Sequence, residues 1–80
     1  MFSPSQSLVQ LAPGSVAKIA ALNLPEEARD RVMELGLVPG TPVELVRFAP
    51  LGDPVEIRFR GSCLTLQRHE AELIMVNLEG

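Results

Sequence analysis

Apolar residues recur along this chain with two different periods, and the change of period divides it into elements. Over residues 15–22, Ala17, Ile19 and Ala21 fall on one side and Lys18 on the other, the two-residue alternation of a half-buried strand. Over residues 26–35 the spacing becomes helical. Ala28, Val32 and Leu35 recur at i, i+4 and i+7, while Arg29, Asp30 and Glu34 turn to water. Pro25 suits the start of that helix, Glu26 and Glu27 complement its positive end, and Gly36 can adopt the left-handed backbone that closes it.

From Leu37 onward the two-residue period returns. Val38-Pro39-Gly40-Thr41 reads as a turn. Residues 42–48 and 55–60 read as strands joined by the loop Pro50-Leu51-Gly52-Asp53-Pro54, and in the second of them Val55, Ile57 and Phe59 alternate with Glu56, Arg58 and Arg60. Gly61-Ser62 then predicts a two-residue hairpin turn into a strand over 63–67, with Leu64 and Leu66 facing inward. One helical turn over 68–72 leads to a last strand in which Ile74, Val76 and Leu78 face the core. Residues 1–10 mix Ser, Gln and Pro with Leu8 and Val9, so a partly ordered arm is expected there, its last apolar residues docking on a domain over 11–80 whose order begins near Leu11. The expected fold is mainly β: a small antiparallel barrel of about five strands with one inserted α-helix, its closure removing most of the exposed strand edge.

Composition narrows the function. Trp and Tyr are absent and Phe2, Phe48 and Phe59 are the only aromatics, so the core is aliphatic. A chain of this size buries only about 60% of its unfolded surface, which leaves little room for a deep catalytic cavity. The net charge of −3 argues against a nucleic-acid binder. No apolar run approaches the roughly 20 residues of a membrane helix. The start, Met1-Phe2-Ser3-Pro4, does not read as a secretory signal, and Cys63 is the single cysteine, so a reducing cytoplasm is the expected setting.

Candidate chemistry is sparse. Cys63, at the start of an amphipathic strand, reads as an ordinary thiol, and no catalytic residues are assigned. A structural zinc site needs four Cys or His ligands, more than this chain owns. No metal site is expected, the weak alternative being Fe(II) on His69, Glu70 and Glu72. No nucleotide phosphate loop occurs. Met33 with Leu35, Leu37 and Val38 gives the helix and its exit more apolar surface than one narrow stripe consumes, and these four are the candidate partner-binding residues.

Three stretches together resemble the FeoA family of bacterial ferrous-iron uptake. Met33-Glu34-Leu35-Gly36-Leu37-Val38-Pro39-Gly40-Thr41 is similar to its helix end, Leu-Gly-Leu turn and Pro-Gly; Pro50-Leu51-Gly52-Asp53-Pro54 to its loop before the central strand; and Leu64-Thr65-Leu66-Gln67-Arg68-His69-Glu70-Ala71 with Ile74-Met75-Val76 to its closing strand, corner and last strand. The resemblance implies an SH3-like barrel and a non-enzymatic regulatory partner, without cofactor, for the cytoplasmic GTPase-containing part of FeoB, the membrane ferrous-iron transporter. It further implies a cytoplasmic protein recruited to the membrane by that partner. Weak homo-oligomers stay open on separate grounds, since exposed strand edges or a Met-containing apolar patch can bury themselves in a dimer or trimer. Two alternatives remain: an Fe(II)-sensing or iron-carrying protein, and the SH3-like domain of a metal-dependent transcription repressor. The helix-turn-helix and dimerisation region of such repressors do not occur in these 80 residues.

Overall fold

A computed structural model of the chain describes residues 5–78. Its strands are β1 (Gln6–Ser7), β2 (Val16–Leu22), β3 (Pro42–Phe48), β4 (Val55–Phe59), β5 (Ser62–Leu66) and β6 (Ile74–Leu78). Between them lie a 3-10 turn over Leu8–Gln10, the helix α1 (Glu26–Glu34) and a single helical turn, α2 (Arg68–Ala71). The strands make one antiparallel ladder in the order β1-β6-β2-β3-β4-β5. The middle of this ladder bends: β2 pairs with β3 through Val16–Lys18 and with β6 through Ala17–Leu22, with register shifts at Ala20 in β2 and at Val46 in β3. The mainly β architecture with one inserted helix is the one the period changes predicted.

The alternation in β2, β3, β4 and β6 places Ala17, Ile19, Val43, Leu45, Val55, Ile57, Phe59, Ile74 and Val76 in one buried cluster. Val32 closes it from the helix side, and Leu37, Leu66 and Ala71 from the turns and β5. Leu78, expected inward, lies exposed at the far end of β6, opposite Ala17.

Four other expectations are corrected. Order does not wait for Leu11. Gln6 and Ser7 pair with Val76 and Met75, and Leu8 is fully buried. What orders this polar stretch is a reciprocal cap: Ser7 Oγ accepts from the Val9 amide at 3.4 Å, Gln10 Oε1 accepts from the Ser7 amide at 3.0 Å, and Ser7 Oγ donates to the Glu72 carbonyl at 3.0 Å. Residues 1–4 of the expected arm lie outside the described residues. The arm therefore adds a sixth strand to the five expected.

The turn between β4 and β5 is Arg60-Gly61, not Gly61-Ser62. Both residues have positive φ, 52° and 77°, as a type I′ hairpin turn requires, and Phe59 pairs with Ser62. Leu35, assigned to the buried helix stripe, is exposed, and Leu37 fills the core in its place. Finally, the small barrel keeps two strand edges, β1 and β5, as the ends of its hydrogen-bonded ladder.

Candidate functional site

The exit of α1 is built by two glycine turns and one buried hydroxyl. The Leu37 amide donates to the Val32 carbonyl at 3.1 Å and the Gly36 amide to the Met33 carbonyl at 3.0 Å, with Gly36 at φ 103°. This is the Schellman arrangement, which folds the chain back over the last helical turn and brings the residue after the glycine against the residue four before it. The arrangement explains the exchange of leucines. Leu37 is carried back to Val32 inside the core, and Leu35, at the cap itself, is left pointing out.

Thr41 fixes the loop that follows. Its Oγ1 accepts from the Val38 amide and donates to the Gly36 carbonyl, both at 3.3 Å, and its side chain is buried. Held this way, the end of α1 presents Met33 at 39% and Leu35 at 55% exposure, with Val38 half-buried beside them. Leu37 is removed from the candidate contact residues, because a side chain wholly inside the core cannot meet a partner. The β4–β5 turn borders this surface: a Cβ on Gly36 would stand 3.5 Å from the Arg60 side chain and 3.9 Å from the Phe59 ring.

The alternative metal residues are not assembled. Among the described residues no three His, Cys, Asp or Glu side chains converge on a point. Glu70 is 3.3 Å from Arg31 and Glu72 is 3.4 Å from Arg68, so both carboxylates are taken up in ion pairs, while His69 faces solvent. Cys63 lies at the hairpin end of β5 and His69 beyond its opposite end, in α2. Cys63 is exposed next to Arg58, whose guanidinium is held above its ordinary pKa first by its hydrogen bond to the Cys63 sulfur and then by the Glu44 carboxylate. No pocket opens among the described residues.

One exposed apolar residue was not singled out from the sequence. Leu51, at the tip of the β3–β4 loop, is 95% exposed. Its loop is anchored by Arg68, whose amide donates to Asp53 Oδ1 at 2.9 Å, whose guanidinium donates to the Gly52 carbonyl at 3.3 Å, and whose charge lies 5.7 Å from the Phe48 ring centre. The available signal was a lone leucine set among turn residues.

Comparison with known proteins agrees with the fold. The FeoA domain model matches residues 6–78. A FeoA protein from Chlorobium tepidum is 40% identical, with a TM-score of 0.90 over 94% of this chain and 71% of its own. Iron(II) transport protein A from Clostridium thermocellum is 37% identical with a TM-score of 0.84; the match covers 91% of this chain and 45% of that one, so this chain spans less than half of that protein's length. A Stenotrophomonas maltophilia FeoA, solved in complex with zinc and described as a prokaryotic SH3 domain protein, is 25% identical, with a TM-score of 0.77 over 90% of this chain and 89% of its own. Manganese-dependent transcriptional repressors, at 13% and 12% identity, share the fold alone. No helix among the described residues is long and apolar enough to cross a membrane.

Proposed function

Because the chain belongs to the FeoA family of ferrous iron transport, matching its domain over residues 6–78, we propose that it is a non-enzymatic accessory protein that docks on the cytoplasmic, GTPase-containing part of a FeoB-like transporter. The observation that carries this reading is the pair of exposed apolar side chains, Met33 and Leu35, at a helix end fixed by Gly36 and the Thr41 hydroxyl. A fixed apolar contact loses little conformational freedom on binding, and a thioether adapts to an irregular neighbour. Val38 and the Arg60 stem continue the same surface. A cytoplasmic location fits the single free cysteine and the partner.

The test is an NMR titration of the labelled protein with the cytoplasmic domain of its cognate transporter, with Fe(II) added to a parallel sample. Shifts centred on Met33, Leu35 and Val38 are expected with the protein partner and not with the metal. Met33→Asp combined with Leu35→Asp is expected to weaken binding at least about tenfold with the fold intact. Unchanged affinity in a folded variant would remove the helix end as the docking surface. Shifts produced by Fe(II) alone, centred on His69, would replace the accessory role with iron binding.

A further inference from the structure

The two ends of the ladder differ in kind. β1 is only two residues long, but β5 runs for five, Ser62-Cys63-Leu64-Thr65-Leu66, without a charged side chain, a proline or a register shift. Exposed strand edges are ordinarily guarded by those devices. Because Phe59 and Ser62 close the two-residue turn, the bonds to β4 fall on Ser62, Leu64 and Leu66, and those residues spend their backbone groups inward. The N–H and C=O groups of Cys63 and Thr65 therefore point away from the sheet, and no backbone hydrogen bond reaches them among the described residues. The side chains of both residues are exposed, and Leu64 between them is only half-buried.

From this edge we infer that the chain associates with a second copy of itself by antiparallel pairing of β5 with β5, on a two-fold axis through Leu64. In that register Cys63 of each copy meets Thr65 of the other, so the outward groups of both residues find partners, and the two Leu64 side chains form the close, non-hydrogen-bonded pair that covers their exposed halves.

The free backbone groups select this register. Centring the axis on Cys63 would set Thr65 opposite the Gly61 turn, and centring it on Thr65 would set Cys63 opposite Gln67, past the end of β5. Only the Leu64 register uses every free edge group. The charges on β4 do not oppose it: Arg58, opposite Cys63, is paired with Glu44 at 3.2 Å, and Glu56, opposite Thr65, with Arg47 at 3.1 Å. A joint of one short strand is small for a protein interface, so the dimer is weak and reversible.

Sedimentation equilibrium across a concentration series tests this, with amide hydrogen exchange read at Cys63 and Thr65. The mass should rise toward that of a dimer, and exchange at those two amides should slow with concentration while Ser15 and other loop amides do not change. Thr65→Pro removes the outward N–H without touching a bond to β4, and is expected to weaken association roughly thirtyfold. Thr65→Lys, which keeps the backbone and places a cation beside its own Glu56, should also shift the protein to monomer with its spectrum otherwise unchanged. A monomer persisting to about 1 mM would overturn the inference. So would a dimer that both folded variants leave intact, since its interface would then lie elsewhere.

Discussion

Thr41 is a small side chain whose two hydrogen bonds hold the loop that follows the exit of α1. Replacing it by valine keeps the shape but leaves the Val38 amide and Gly36 carbonyl without the hydroxyl they share. Fully buried groups left unsatisfied cost about 1–3 kcal/mol each, and these two are partly buried. We expect Thr41→Val to lower stability by about 1–3 kcal/mol in urea unfolding, and Thr41→Ser to retain most of it; equal loss in both would assign the effect to packing of the methyl group. The sequence carried the turn, through Pro39 and Gly40, but not the hydroxyl's partners, which lie three and five residues back. Leucine placement was legible in the same partial way. Gly36 announced the end of the helix, yet a helical period extended to Leu35 assumes the helix continues. The Schellman turn reverses the chain at that point and exchanges the inside and outside positions of Leu35 and Leu37.

At the scale of elements, the least legible segment is the first. Nothing in Gln6-Ser7-Leu8-Val9-Gln10 has a strand or helix period, because two residues are too few for one and the rest is a single 3-10 turn. Its order comes from across the molecule, from β6 and the Glu72 carbonyl. Leu8 is nevertheless as buried as the centre of β4. Leu8→Ala is expected to cost about 2–5 kcal/mol, the usual range for emptying a packed leucine site. A change under about 0.5 kcal/mol in chemical unfolding would mean the segment adds nothing to the core. The hairpin between β4 and β5 shows the opposite case. The turn was expected one residue too late, but the resulting register differs by two positions, so Leu64 and Leu66 keep their face. The type I′ turn puts them opposite Ile57 and Val55 and aligns the apolar row, a gain that offsets holding Arg60 at positive φ.

Across the whole molecule, the closing strand is an interior one. β6 lies between β1 and β2, so the first and last strands are zipped together, and the helix and loops hang on a ladder that both strands complete. Ile74 is fully buried where β6 meets Leu22 of β2, between the exits of α2 and of β2. Emptying that site should be felt by the entire domain and not by the C-terminal strand alone. At about 2–5 kcal/mol for the truncation, and roughly 4–8 °C per kcal/mol for a domain of this size, Ile74→Ala should lower the melting midpoint by at least about 8 °C. The transition should also remain single. Far-UV circular dichroism and the NMR signals of Met33 in α1 and Leu51 in its loop are expected to change together, since the chain has no Trp or Tyr to report separately. Should the signals of α1 or the Leu51 loop melt well before the sheet, the helix end would be an independently opening unit. The rigid presentation of Met33 and Leu35, on which the docking proposal depends, would then fail along with the single transition.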